Sequence, residues 1–102
     1  RTHMNQMQQM LQQAQRMQKD IMNKKSELDA MTFTGKSEWV EVTFKGDKDI
    51  QSVNIINDNA FDKENKEILS DMILIAVKDA LKQIDKETEN KLGKYSNMGG
   101  LF

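Results

Sequence analysis

The chain has 102 residues, fifteen Lys and Arg against sixteen Asp and Glu for a net charge of −1, one His, and neither Cys nor Pro. A chain of this length builds a single small domain that buries a modest share of its surface, so partnering is expected. Without Cys there are no disulfides, thiolate metal sites or thiol nucleophiles, which fits a reducing cytosol; without an apolar run of about 18 residues or a signal segment, no membrane association is expected.

Arg1, Thr2 and His3 precede the first Met and read as the remnant of a cleaved tag, outside a single domain over 4–102. The sole histidine then carries no function, and His-based acid/base or metal chemistry has no candidate. Residues 4–36 hold five cations (Arg16, Lys19, Lys24, Lys25, Lys36) and three carboxylates (Asp20, Glu27, Asp29), a balance of +2, while 37–102 hold nine against thirteen, a balance of −4. Attraction to a polyanion acts through faces rather than totals, so the first segment is where to look.

"MNQMQQMLQQAQRMQKDIM" (4–22) contains five Met and seven Gln but one acid. Met7, Met10, Ala14, Met17, Ile21, Leu28 and Met31 follow alternating steps of three and four, with Lys24 in the intervening slot. That is a heptad seam on a helix over 4–30, about 40 Å long, which needs another helix to cover it. Met at such positions serves either as simple core or as an adaptable docking surface. A second stripe, Asn5, Gln9, Gln12, Arg16, Lys19, Asn23 and Ser26, has the same spacing and no carboxylate. It is either a solvated outer face or a surface that donates hydrogen bonds to phosphates and base edges.

Helical spacing stops after Met31. "MTFTG" predicts a short strand, and "EWVEVTFKGDKDIQSVNI" a hairpin in which Val40, Val42 and Phe44 alternate with polar residues, turn through 45–48 and return along Val53 and Ile55. Ile50 is out of phase, which predicts a bulge near Gln51 and Ser52. Trp39 is expected on the opposite side from Val40, as a cross-strand packing group or a partner anchor. After this sheet (31–56), Asp62 is the expected N-cap of a second long helix over 62–93. The run Met72–Val77 is apolar on all sides, which predicts burial against the sheet and against a second subunit. Val40, Val42, Phe44, Leu69, Met72, Ile73, Ala76, Val77 and Ala80 are the expected core and dimer residues. The tail 94–102 ends on Leu101-Phe102 and is expected to be flexible or docked by that pair.

No phosphate loop, nucleophile elbow or metal-ligand cluster occurs. The sequence predicts a binding or scaffolding protein rather than an enzyme, with no catalytic residue, metal, cofactor or small-molecule substrate.

The order helix, small sheet, helix, with "MQQMLQQAQRMQKDI", "VEVTFKGDKDIQSVNI", "FDKENKEILSDMILIAVKDALKQI" and "KLGK" followed by "GGLF", resembles the bacterial YbaB/EbfC family of nucleoid-associated proteins across 4–102. The resemblance implies an α+β fold (αβββα), a tweezer-like homodimer in the cytoplasm and nucleoid, and projecting helical arms that contact double-stranded DNA with weak sequence preference. On this chain it assigns Arg16, Lys19, Lys24 and Lys25 to phosphates and Gln9, Gln12 and Asn23 to further hydrogen bonds; Lys24 has the separate option of fixing helix register. A rival from another class is an adaptor whose Met-lined arms clasp a partner helix from replication or recombination machinery.

Overall fold

A computed structural model describes residues 5–98; the proposed tag remnant and the last four residues lie outside them. Helix α1 spans Gln6–Ala30. It starts at Gln6 because Asn5 and Gln8 form a capping box, the Asn5 side chain accepting from the Gln8 N–H at 2.8 Å and the Gln8 side chain from the Asn5 N–H at 3.3 Å. At Met31 the backbone turns extended and leads directly into β1 (Thr32–Lys36), followed by β2 (Val40–Lys45) and β3 (Ile50–Ile55). The three strands form one antiparallel sheet in the order β1-β2-β3.

The bulge falls where the phase break puts it. Thr43 pairs with Ser52 and Phe44 with Ile50, leaving Gln51 as the extra residue. Partners across an antiparallel sheet share a face, so the bulge returns Ile50 to the face of Val53 and Ile55. The β2–β3 turn closes through the Lys48 N–H to Lys45 carbonyl bond, 2.8 Å, with Lys48 in the left-handed region at φ 69°.

The second helix begins later than expected. Residues 58–65 form two short 3-10 turns, and α2 runs from Lys66 to Leu92. Asp62 makes no side-chain cap bond, and neither does Asn65, which stands at the N-cap of α2. The Asn65 side-chain amide donates through Nδ2 to the Asn59 carbonyl at 2.9 Å and ties the loop together.

Helix α2 packs mainly across β1 and β2 and leaves most of β3 uncovered. Val40, Val42 and Phe44 are buried under it together with Ala76 and Ala80; Leu69, Met72, Ile73 and Val77 are half-buried at its rim. Leu28, Phe33 and Ile84 complete this core. Trp39, expected on the outer side, is half-buried against the core, where its carbonyl accepts from the Ile56 N–H at 2.8 Å. A strand-end residue is free to turn its ring inward although the strict alternation that starts at Val40 places it outside.

Polar residues on the flank of α2 also close one edge of the sheet. Asp79 accepts from the Lys36 N–H at 2.9 Å, and the Gln83 side chain donates to the Thr34 carbonyl at 2.8 Å. One helical turn separates the two, so they satisfy the outward backbone groups of β1 in register and protect that edge from other strands. The expected flexible tail begins as a 3-10 helix, Gly93–Met98, in which Tyr95 is buried.

The molecule measures 79 × 21 × 15 Å with a radius of gyration of 20.7 Å, against about 13 Å for a compact chain of this length. The N-terminal half of α1 accounts for the difference. Glu27 lies beside Lys91 and Asp20 beside Tyr95, so α1 runs antiparallel to the end of α2, and residues 5–16 are all exposed.

Candidate nucleic-acid interface

An α-helix turns about 100° per residue, so Asn5, Gln9, Gln12, Arg16, Lys19, Asn23 and Ser26 fall along one narrow arc of α1. All seven are exposed. The chain has no carboxylate between Met4 and Lys19, and among the described residues neither Arg16 nor Lys19 forms an ion pair. The stripe is therefore a line of amide donors and two unneutralised cations about 30 Å long.

Lys24 and Lys25 stand apart from it. Lys24 lies 3.3 Å from Asp20, with its ammonium 6.0 Å from the centre of the Tyr95 ring. Lys25 lies 2.5 Å from Asp29. Both are half-buried and turned toward the body. Of the seven candidate DNA contacts, Gln9, Gln12, Arg16, Lys19 and Asn23 thus share one open face, and the other two are engaged within the chain.

The heptad seam divides at the same level. Leu28 is buried and Met17, Ile21 and Met31 are half-buried, whereas Met7, Met10 and Ala14 are exposed, Met7 at 66%. The body thus covers the inner half of the seam and leaves the outer half bare.

At the junction sits a cluster that periodicity does not reveal. The Tyr95 hydroxyl donates to Asp20 at 2.5 Å, Lys94 lies 3.8 Å from the same carboxylate, and the Lys94 ammonium is 5.0 Å from the centre of the Tyr95 ring. The available signals were that Asp20 is the first acid in the chain and Tyr95 its sole tyrosine. The Tyr95 bond, foremost, holds the Asp20 carboxyl below the ordinary carboxylate value; desolvation opposes it, and Lys24 and Lys94 reinforce it. The same bond, with desolvation, pushes the Tyr95 phenol up.

A carboxyl whose value is lowered by folding stabilises the fold above its unfolded value, near 4, and loses that contribution as pH falls through the folded value. Asp20→Asn is therefore expected to lower Tm at pH 7 and to converge with the parent below about pH 4. Thermal melts at intervals from pH 7 to pH 2.5 check this; a gap that stays constant to the acid end contradicts it.

Among the described residues no group of three or more His, Cys, Asp or Glu could hold a metal, and no helix is long and apolar enough to cross a membrane.

The sequence model of the YbaB/EbfC DNA-binding family matches residues 4–101. A protein of Lactococcus lactis subsp. cremoris (strain MG1363) named nucleoid-associated protein is 47% identical over 92 residues, covering 88% of this chain and 92% of the relative. One of the same name from Streptococcus pneumoniae (strain Hungary19A-6) is 44% identical with the same coverage. The crystal structure of an uncharacterized protein from Helicobacter pylori superimposes with a TM-score of 0.70 at 22% identity, covering 95% of this chain and all of the other, a likeness of fold alone.

Proposed function

Since this chain belongs to the YbaB/EbfC DNA-binding family, we propose that it is a nucleoid-associated protein that binds duplex DNA as a homodimer, through the projecting halves of its α1 helices and with weak sequence preference. The observation that carries this reading is the exposed, carboxylate-free stripe along the arm. Arg16 and Lys19 serve phosphates, and Gln9, Gln12 and Asn23 add hydrogen bonds that fix register more than they read sequence. Lys24 and Lys25, assigned to phosphates from sequence, would first have to leave Asp20 and Asp29. A DNA-associated protein of this kind works in the cytoplasm, at the nucleoid.

The homodimer is supported by what α2 leaves bare. Val53 pairs with Val42, which is fully buried, yet Val53 is 52% exposed because α2 leaves most of β3 uncovered. Ile50 on the same strand and Leu74 and Ile75 on α2 are exposed as well. A helix layered over β1 and β2 leaves room above β3 for a second helix, and an apolar strand at an unprotected edge invites one. A second copy of α2 supplies it, which gives the apolar run Met72–Val77 its other burial surface. Leu74→Asp combined with Val53→Asp is expected to convert the dimer to monomer in light scattering, since it puts carboxylates into an apolar interface. Persistence of the dimer would move the interface elsewhere.

Fluorescence anisotropy of a labelled duplex of about 30 base pairs, titrated at several salt concentrations, tests the DNA reading. Saturable binding that weakens steeply with salt supports it; no binding at low salt by a verified dimer rejects it. The bare outer seam at Met7 and Met10, with the exposed Leu11 next to it in sequence, favours a second reading, the adaptor that clasps a partner helix, for instance from replication or recombination machinery. Apolar clasping survives about 0.5 M salt, where binding to a few phosphates is largely lost.

A further inference from the structure

Resting on the DNA-binding reading, we infer that Tyr95 is a positioning residue: its hydroxyl, bonded to Asp20, fixes the direction in which the α1 arm leaves the body and so prepares the arm to meet DNA.

The placement of the bond gives it this role. From Asn5 to Arg16 every residue of the arm is exposed, and among the described residues none of them bonds to another element of the chain, so its course is set wherever α1 is last held. Asp20 is that outermost polar anchor, and the groups that hold it come from the 3-10 segment after α2: the Tyr95 hydroxyl and the Lys94 ammonium. Without the hydroxyl, what still ties α1 to the body by polar contact is the Lys94 ammonium, 3.8 Å from Asp20 on a side chain 63% exposed, and Glu27 with Lys91 at 3.4 Å, in which the Glu27 side chain is 62% exposed. An ion pair so exposed is a loose tie, and where it gives way the free lever lengthens from about 22 Å (5–20) to about 33 Å (5–27), at 1.5 Å per residue. A tilt of about 10° at the inner pivot moves the tip roughly 6 Å, nearly two phosphate steps along a strand of about 3.4 Å rise.

Apolar contact does not replace the bond. Met17 and Ile21 are half-buried and hold the helix close, but such contacts have no preferred direction, whereas a hydrogen bond is geometrically strict. Asp20 is also held from its own helix by Lys24, which orients the carboxylate without attaching it to the body. The attachment falls to Tyr95, whose ring is buried and cannot swing away with the arm.

Tyr95→Phe keeps the ring, its burial and both lysine contacts, and removes only the hydroxyl. The chain contains no cysteine, so Gln13→Cys on the arm and Asn54→Cys on β3 take a pair of spin labels, with labelled chain diluted into excess unlabelled chain. Tyr95→Phe is expected to broaden the distance distribution between the labels. It is also expected to weaken duplex binding about threefold to tenfold, as the arm occupies its binding direction for a smaller share of the time. The dependence on salt stays as in the parent, because Arg16 and Lys19 are untouched. A distribution as narrow as the parent's overturns the inference; a broadened one with parental affinity overturns its link to binding. Should the parent not bind duplex at all, the DNA reading fails, and the label distances alone still decide whether Tyr95 positions the arm.

Discussion

Gly35→Val is expected to destabilise the domain severely. Strand β1 passes α2 so closely that a Cβ at Gly35 would stand 2.0 Å from the Ala76 carbonyl oxygen, 2.4 Å from the Ala80 nitrogen and 2.9 Å from the Ala80 Cβ. The two nearest atoms are helix backbone, which no rotamer change can move aside. Any larger side chain must lever the strand off the helix, and with it the bonds from Asp79 to the Lys36 N–H and from Gln83 to the Thr34 carbonyl. Overpacking alone costs about 1–3 kcal/mol and sometimes more, and each lost bond about 1 kcal/mol. A total of about 4 kcal/mol consumes much of the roughly 5–15 kcal/mol that holds such a domain. Urea unfolding at fixed protein concentration is the measurement, and a midpoint equal to the parent's contradicts the close approach. Gly46→Ala meets the same obstacle at the arm root, where its Cβ would lie 1.8 Å from the Leu28 carbonyl oxygen.

Neither glycine's role was legible in the sequence. Gly35 reads as a strand stop and Gly46 as a turn residue, because what each meets is a helix distant in sequence. Local order was legible for the opposite reason: the alternation of Val40, Val42 and Phe44 and the phase slip at Ile50 depend on neighbours a few residues away. Leu28 could be assigned to the seam, but that the seam is half covered depends on where α2 ends. The start of α2 was misjudged because Asp62, a good cap by type, joins two 3-10 turns instead, its N–H donating to the Asn59 carbonyl and its carbonyl accepting from the Asn65 N–H. At the candidate site, the seven-residue stripe was legible as a period, whereas the withdrawal of Lys24 and Lys25 from it follows from their partners, Asp20 and Asp29. Both pairs have the i,i+4 spacing and were open to sequence reasoning, which weighed charge count above pairing. Tyr95 could not be placed, since its role depends on a 3-10 turn that carries it back to α1.

Arg16→Gln together with Lys19→Gln is expected to abolish most duplex affinity while leaving the fold intact. Both side chains are exposed, and Gln matches the helix propensity of the residues it replaces to within tenths of a kcal/mol, so far-UV circular dichroism and Tm should stay as in the parent. Binding behaves differently, because few cations carry it. In a homodimer with both arms engaged, the change removes four phosphate contacts, and each contributes about −0.9 to the slope of log K against log salt. The slope should therefore become shallower by about 3.6, and affinity near 0.1 M salt should fall by a factor on the order of a hundred to a thousand. Lys24→Gln with Lys25→Gln is the matched control. Their ammonium groups already face Asp20 and Asp29, so neutralising them uncovers two carboxylates per chain at the arm root while removing no exposed cation from the stripe. The resulting loss reflects repulsion and is smaller than the stripe double's. Anisotropy titrations of both pairs over a salt series separate the cases: a larger loss of slope for the Lys24 and Lys25 pair would shift the contact from the outer stripe to the arm root.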